Sequence, residues 1–358
     1  MKQGYLILET GEVFEGLLAG EFSGETEGEV VFNTSMSGYQ EIITDPSYAG
    51  QIIVFAYPLI GNYGVSGEDD ESVSPHLRGI VTGEMSSDLH HHRATGSLQG
   101  MMEENRLPCL TDIDTRSLVR TIRKKGTVRG VISERKDAVV QAGEDGAMFD
   151  RVTTNKVKTY GNRGPHVVLL DYGYKKSILD YLLEQRCKVT VVPYHHSIQG
   201  IRGLNPDGVV ISNGPGNPEH AADQIEKIRE LTDSFPTLGI CLGHQLIAMA
   251  YGAKTTKLHF GHRGGNHPVK DLTTGKTYIT SQNHGYVVQE ETIDNDLFEV
   301  SFRNINDGSV EGLLHKKKPV LAVQFHPEGH PGPLDTVFIF EQFVGRLKES
   351  RLSGTSIR

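Results

Sequence analysis

Three short stretches of this chain contain residues that could carry out nucleophilic chemistry. The first, "GICLGHQ", places Cys241 between Gly239 and Gly243. This G-x-C-x-G pattern is the thiol version of the elbow in which a nucleophile occupies a tight turn between a strand and a helix. The flanking glycines are expected because a Cβ atom at either position would collide across the turn. The positive end of the following helix favours the thiolate, which is the nucleophilic form of cysteine.

A free cysteine more often serves as a small buried packing residue, and this is the alternative to a nucleophile. We assign the packing role to Cys109 and to Cys187, which ends an amphipathic stretch. For Cys241 the glycine frame favours the nucleophile.

The second stretch, "PVLAVQFHPEGH", supplies a candidate base. His326 follows an apolar, strand-like run, and Glu328 is close enough in sequence to orient its imidazole. A zinc site formed by His326 and His330 is the alternative. It is disfavoured because Pro327 and Gly329 prevent the helix that would place both rings on one face.

The third stretch, "SNGPG", is a Gly-Pro-Gly turn after an apolar run. It lacks the spacing of a dinucleotide-binding fingerprint or a phosphate-binding loop, and no other stretch supplies either. Such a turn could instead present a backbone N–H to a developing oxyanion, although a plain turn is the alternative. We therefore predict no cofactor and no metal site in this chain.

The elements that must position these residues differ between the two halves of the chain. Residues 1–145 show short strands and turns, with a hairpin pattern around Thr10-Gly11 and a basic helix, "TDIDTRSLVRTIRKKG", capped by Asp114 or Thr111. We expect the basic face of this helix to be solvated, a surface for an acidic partner being the alternative. Residues 146–165 have no clear pattern and are predicted to be a linker.

Residues 166–358 alternate strands and helices, which predicts a mostly parallel sheet flanked by helices. Ligands of such sheets bind at the carboxyl ends of the strands, where all three stretches fall. The predicted fold class is thus α/β, with this C-terminal domain preceded by a smaller β-rich α/β domain.

Composition and charge narrow the class of protein. The net charge of −9 argues against nucleic acid or an anionic membrane as the main partner. The 3 cysteines are widely spaced, which favours a reducing compartment over a disulfide scaffold. Glu9 and Glu12 precede any long apolar region, so no signal peptide is predicted. No apolar run is long enough to span a bilayer, and a cytoplasmic protein is expected.

Taken together, "GICLGHQ", "SNGPG" and "HPE" resemble the class I, triad-type glutamine amidotransferases. Two further stretches, "FGHRGGNHPV" and "SQNHGY", make this resemblance more specific. The first domain, with "GEVVFNTSMSGYQEIITDPSYAGQIIVFAYPLIGNYG" and "DIDTRSLVRTIRKKG", resembles the N-terminal domain of carbamoyl-phosphate synthase small subunits. Other amidotransferases lack this domain. The resemblance covers nearly the whole chain.

The resemblance implies roles for individual residues. Cys241 would be the nucleophile, His326 the acid and base, and Glu328 its partner. Oxyanion contacts would come from the N–H groups of Gly214 and Leu242. Glutamine contacts are implied at Ser47, Gly216, Gln245, Asn283, Gly285 and Tyr286. Because Ser47 belongs to the first domain, the site is expected at the domain interface.

Three positions depart from the family pattern without removing a reacting group. Asn217 stands where an aspartate is frequent, and Phe325 where many small subunits have glycine. Tyr286 replaces a frequent phenylalanine. These departures affect side chains of the pocket rather than its chemistry.

The activity implied by the resemblance is hydrolysis of L-glutamine through a cysteine thioester. The ammonia would pass to a large synthetase subunit, which binds ATP and its metal ion and makes carbamoyl phosphate for arginine or pyrimidine synthesis. Two alternatives remain at this point. One is an amidotransferase subunit of another synthetase, such as that for anthranilate or GMP. The other is a regulatory subunit with a silent site.

Overall fold

The computed structural model describes residues 2–20, 22, 24–141 and 146–353. The chain divides into two compact units, each described here by itself. The first comprises Met1–Met148 and His259–Gly264, and the second Phe149–Leu258 and Gly265–Arg358. Two elements, a short helix and a short strand, lie within the stretch 146–165.

The first unit is built mainly from short strands. Its strands are β1 (Lys2–Leu8), β2 (Val13–Ala19), β3 (Glu25–Asn33), β4 (Gln51–Phe55), β5 (Leu59–Ile60), β6 (Gly79–Val81), β7 (Glu84–Met85), β8 (Cys109–Thr111) and β9 (Val128–Ser133). Its helices are α1 (Tyr39–Thr44), α2 (Leu98–Glu104) and α3 (Thr115–Lys125).

Most of these strands close into a barrel with the order β1-β2-β8-β6-β4-β3-β9. The pair β1 and β2 is antiparallel, which confirms the predicted hairpin around Thr10-Gly11. In contrast, β4 pairs in parallel with both β3 and β6. Closure satisfies the hydrogen-bonding edges of the strands and leaves apolar side chains inside, among them Val30, Ile52 and Leu110, which are fully buried.

The basic helix α3 lies where the sequence predicts it. Asp114 is its N-cap, and its side chain accepts a hydrogen bond of 2.9 Å from the N–H of Ser117. The helix ends at Gly126, whose φ of 94° favours glycine. Leu118 and Ile122 pack inward, while the arginines and lysines are exposed. The basic side chains are thus accessible on this unit, and the choice between a solvated face and a surface for an acidic partner stays a prediction.

The second unit alternates strands and helices. Its strands are β10 (Lys158–Tyr160), β11 (His166–Asp171), β12 (Lys188–Pro193), β13 (Gly208–Ile211), β14 (Thr237–Ile240), β15 (Thr255–Asp271, apart from its residues 259–264, which belong to the first unit), β16 (Thr277–Val288), β17 (Phe298–Asn304), β18 (Val310–His315) and β19 (Val320–Val323). Its helices are α4 (Phe149–Val152), α5 (Lys176–Glu184), α6 (Ile198–Gly203), α7 (Ile225–Ser234), α8 (Leu242–Ala250) and α9 (Phe338–Ser353).

These strands form a 10-stranded sheet with the order β10-β12-β11-β13-β14-β19-β18-β17-β15-β16. Its central strands, β12, β11, β13, β14 and β19, are parallel. On either side of them, β10 pairs antiparallel with β12, and β18 pairs antiparallel with β19. The predicted α/β fold class is confirmed. The neighbours β13, β14 and β19 bring the three candidate stretches to one edge of the sheet, because each stretch follows the carboxyl end of one of these strands.

The core of the second unit is continuous across the parallel strands. On α5, Ile178, Leu179 and Leu182 are buried as the helical spacing predicts, whereas Leu183 is only half-buried. These side chains pack with β11 and β12 and with the inner face of α9, including Phe340. Among the helices that the structure describes, none combines the length and apolar character required to cross a membrane.

Candidate active site

Cys241 occupies a strained corner between β14 and α8. Its backbone has φ 54° and ψ −102°, a conformation that non-glycine residues rarely adopt. The corner requires glycine on both sides. A Cβ on Gly243 would lie 2.2 Å from the carbonyl oxygen of Ile211, and a Cβ on Gly239 would lie 2.8 Å from that of Gly243. The G-x-C-x-G pattern thus has the steric cause that the sequence suggested.

The sulfur of Cys241 is held among polar groups although the side chain is buried. Its Sγ is 3.5 Å from the carbonyl oxygen of Asn283, to which the thiol donates. The side-chain Nε2 of Gln324 donates to the same sulfur over 3.7 Å. The helix α8 begins at the next residue, so its positive end lies beside the sulfur.

His326 and Glu328 form a buried pair close to this cysteine. Nδ1 of His326 and Oε1 of Glu328 are 2.6 Å apart. The N–H of His326 donates to the carbonyl of Ser281 over 2.9 Å, which fixes the backbone after β19. The second ring nitrogen, Nε2, makes no close hydrogen bond with any residue the structure describes. It is therefore the nitrogen available for proton transfer.

The charges of the pair reinforce each other. Burial by itself lowers the pKa of His326, but the carboxylate of Glu328 and the nearby Cys241 outweigh burial and raise it. Burial raises the pKa of Glu328, but Lys175 and His326 outweigh burial and hold it well below its usual range. The favoured state is a protonated imidazole beside an ionised carboxylate.

Lys175 supplies a second buried cation at this pair. Its Nζ is 3.2 Å from Oε1 of Glu328 and donates to the carbonyl of Gly329 over 2.7 Å. The lysine side chain is 2% exposed, and Glu328 is fully buried. Lys175 was not identified from the sequence, where its only signal is a lysine in the short turn between the β11 run and the α5 helix.

Two backbone N–H groups next to the cysteine have no acceptor in the described part of the chain. They belong to Leu242, the first residue of α8, and to Gly214, in the loop after β13. The two residues are packed together, because a Cβ on Gly214 would lie 2.8 Å from Cδ2 of Leu242. Unpartnered N–H groups at a helix start are suited to bind an oxyanion.

Four of the predicted glutamine-binding residues lie in the same unit as Cys241 on α8 and β16. Gln245 donates to the carbonyl of Tyr286 over 2.7 Å and to Oε1 of Gln324 over 3.0 Å. Asn283 contacts the sulfur through its carbonyl, and Gly285 lies between Asn283 and Tyr286 on β16. A fifth, Gly216, is the second glycine of the Gly-Pro-Gly turn and has φ 87°. The structure thus gathers α8 and β16 around the cysteine corner.

Ser47 lies in the first unit, in the single turn of three-ten helix Pro46–Tyr48. Its N–H donates to Oδ1 of Asp45 over 2.8 Å, and the residue is buried. Its proposed contact with glutamine, and with it the expected interface site, stays a prediction.

Two of the departures from the family pattern have structural roles. The side chain of Asn217 accepts from the N–H of Glu219 over 3.0 Å and caps the turn that follows. Phe325 is fully buried, and its ring packs edge-on against Phe302 at 5.3 Å between centroids. The third, Tyr286, contributes its carbonyl to Gln245, a contact that does not depend on its side chain.

Gln324 is the second residue that the sequence analysis missed. A usable signal was present, because residues two apart in an extended chain point to the same side. Gln324 and His326 therefore share a side, with Phe325 on the other, and a glutamine in the apolar run "VLAVQFH" stands out.

The fold and this site define an amidotransferase of class I. The family model "Glutamine amidotransferase class-I" matches residues 168–345. A second model, "Carbamoyl-phosphate synthase small chain, CPSase domain", matches residues 6–132.

Curated relatives match along nearly the full length. An arginine-specific carbamoyl phosphate synthase small chain of Halalkalibacterium halodurans is 49% identical, covering 96% of each chain. The arginine-specific small chain of Bacillus subtilis is 46% identical, covering 98% of each. A pyrimidine-specific small chain of H. halodurans is also 46% identical, over 96% of this chain and 97% of the relative. This chain belongs to the carbamoyl-phosphate synthase small-chain family.

Proposed function

We propose that this chain is the glutaminase subunit of a carbamoyl-phosphate synthase, with Cys241, His326 and Glu328 as its catalytic residues. The observation that carries the proposal is the strained corner of Cys241 beside a buried His326–Glu328 pair with an Nδ1–Oε1 distance of 2.6 Å. An intact constellation of nucleophile, proton carrier and orienting carboxylate favours an active enzyme over a silent regulatory subunit.

In the first step the thiolate of Cys241 attacks the side-chain amide carbon of L-glutamine. A carbon–sulfur bond forms, and the carbonyl π electrons move to oxygen. The N–H groups of Leu242 and Gly214 stabilise this oxyanion. His326 gives its proton to the amide nitrogen, the carbon–nitrogen bond breaks, and ammonia leaves with formation of a thioester.

In the second step water hydrolyses the thioester. Neutral His326 accepts a proton from the water as its oxygen attacks the acyl carbon. The carbon–sulfur electron pair then returns to Cys241, and glutamate leaves. Glu328 holds the imidazole in the tautomer that presents Nε2 throughout.

The ammonia is consumed by a partner. The relatives are named small chains of carbamoyl phosphate synthase, which implies a large chain. We propose that the large subunit binds ATP with its metal ion and uses the ammonia to form carbamoyl phosphate. Because the three cysteines are unpaired and Cys241 must be a free thiol to react, we place the complex in the cytoplasm.

The test separates the two halves of the reaction. In the complex with the large subunit, Cys241→Ser should abolish synthesis of carbamoyl phosphate from glutamine but leave synthesis from added ammonia. Cys187→Ala is the matched control, since that cysteine is equally buried at 2% exposure. It should retain both activities. Normal use of glutamine by Cys241→Ser would refute the nucleophile, and absence of any large-subunit complex would refute the partner.

A further inference from the structure

Gln324 is in direct contact with the sulfur that we propose as the nucleophile. The residue follows β19, its side chain is fully buried, and its Nε2 lies 3.7 Å from Sγ of Cys241. A buried amide this close to a reacting atom affects the chemistry according to which of its ends faces that atom, because the nitrogen end donates and the oxygen end accepts.

A chain of hydrogen bonds fixes the orientation of this amide. The backbone carbonyl of Tyr286 can only accept, and it lies 2.7 Å from the side-chain amide of Gln245. That contact identifies the Gln245 group as the nitrogen end. The same nitrogen is 3.0 Å from the side chain of Gln324, which must therefore present its oxygen. The nitrogen of Gln324 is left to face the sulfur.

The two polar contacts of the sulfur respond differently to ionisation. The thiol donates its proton to the carbonyl of Asn283 over 3.5 Å. Once that proton is lost, the carbonyl oxygen faces a negative sulfur without a hydrogen between them. The N–H of Gln324 still donates, and a hydrogen bond to an ionised acceptor is stronger than one to a neutral acceptor. Of these two contacts, only that of Gln324 favours the thiolate.

We propose that Gln324 is a further catalytic residue, whose amide N–H stabilises the Cys241 thiolate before attack and again when the thioester collapses. Gln245 acts as its positioning residue. The proposal rests on the proposed glutaminase function for its kinetic consequence, but its effect on the thiolate does not. Neither covalent step changes in stoichiometry, because Gln324 gives up no proton.

Several titratable groups surround the sulfur and must be considered in a pH experiment. His326 is adjacent, with Glu328 and Lys175 behind it. His244 on α8 is fully buried, and burial lowers its pKa to about 3, so it stays neutral. A substitution at Gln324 leaves all four in place.

The direct test measures the ultraviolet absorbance of the thiolate against pH in the full-length chain, with Cys241→Ser as the blank. Burial raises the pKa of Cys109 to about 12 and that of Cys187 to about 11, so below about pH 9 neither contributes appreciably. Gln324→Met removes the N–H but keeps the shape of the side chain. We expect its titration midpoint to move upward by roughly one pH unit. An unchanged midpoint would overturn the proposal.

Two further variants keep the test decisive if Gln324→Met is poorly folded. Gln324→Glu replaces the N–H by oxygen, and an upward shift at least as large is expected. Gln245→Glu replaces the donor that orients Gln324, so the amide of Gln324 is expected to turn and the midpoint to rise by a smaller amount. Thiolate titrations equal to wild type in the folded variants, with only thermal stability altered, would mean a structural role and would overturn the proposal.

Kinetics then connect the thiolate to the reaction. In the complex, Gln324→Met should lower kcat with glutamine roughly ten-fold with little change in KM, and synthesis from ammonia should be retained. An unchanged kcat would contradict a catalytic role. A wild-type chain that shows the thiolate titration but hydrolyses no glutamine would instead refute the proposed function, because the titration does not require glutamine.

Discussion

Two cysteines of the second unit have the same burial and border the same apolar core, but they differ in their polar neighbours. Cys187 and Cys241 are each 2% exposed, and each borders a strand of the parallel part of the sheet. Cys187 comes directly before β12, at the amino end of its strand, whereas Cys241 comes directly after β14, at the carboxyl end. Burial therefore does not distinguish a packing cysteine from a candidate nucleophile.

Their neighbours do distinguish them. Cys187 packs in the apolar core with Leu182 and Val189, and burial raises its pKa to about 11. Cys241 lies beside a helix start, an amide donor and a charged histidine. The carboxyl ends of parallel strands are where loops and helix starts meet, so polar donors gather there. The end of the strand that a cysteine borders, rather than the depth of its burial, therefore determines which polar groups surround its thiol.

The largest effect on glutamine-dependent synthesis is expected from adding a side chain at one of the glycines beside Cys241. Gly243→Ala would place a Cβ 2.2 Å from the carbonyl oxygen of Ile211, so the backbone must shift. We expect glutamine-dependent synthesis to fall at least about 100-fold, since small displacements of a nucleophile are costly. The free energy of unfolding should fall by about 2–3 kcal/mol, measured by urea denaturation.

The matched control for this corner is Gly345→Ala on α9, where a Cβ would meet no atom within 4 Å. Alanine in a helix should raise stability by about 0.5–1 kcal/mol and leave synthesis unchanged. Equal losses of synthesis and stability in the two variants would contradict a specific steric requirement for glycine beside Cys241.

The next largest effect is a loss of stability, tested by comparing substitutions of two adjacent lysines. Lys175→Met removes a cation 3.2 Å from the buried carboxylate of Glu328. An uncompensated buried charge should lower the free energy of unfolding by about 3 kcal/mol. Lys176→Met removes an exposed cation paired with Asp180 at 2.6 Å and should cost at most about 0.5 kcal/mol. Similar losses in urea denaturation of the two variants would contradict the structural difference.

The smallest effect is a pH dependence of the buried pair. The raised pKa of His326 stabilises the fold fully below the unfolded value of about 6.5 and progressively less as the pH rises through the folded value. The lowered pKa of Glu328 acts above about 4.3 and is lost as the pH falls through its folded value. Stabilisation by the pair is therefore greatest between about pH 4.3 and 6.5.

Glu328→Gln removes this coupling. The difference in unfolding free energy between wild type and variant should be greatest near pH 6 and shrink by about 1–2 kcal/mol by about pH 9. Urea denaturation at a series of pH values measures it. A difference that grew with pH would reverse the sign of the proposed coupling.

Much of the site could be predicted because its parts are local. The glycines around Cys241, the Gly-Pro-Gly turn and the spacing of two positions from His326 to Glu328 are short-range patterns with direct steric or chemical causes. The alternation of strands and helices predicted the parallel sheet, and the turn signal at Thr10-Gly11 predicted the hairpin. The closed barrel of the first unit was not predicted, because closure depends on pairings such as β1 with β9, far apart in sequence.

The sequence by itself determined which residues are candidates for the chemistry: a thiol in a glycine frame, a histidine after a strand and a carboxylate two residues on. Only the tertiary structure decided what surrounds them. Gln324 reaches the sulfur because β19 pairs in register with β14, and Lys175 reaches Glu328 from a loop more than a hundred residues away. Such contacts have no local pattern, because the position of each partner is set by strand pairing and packing across the whole sheet.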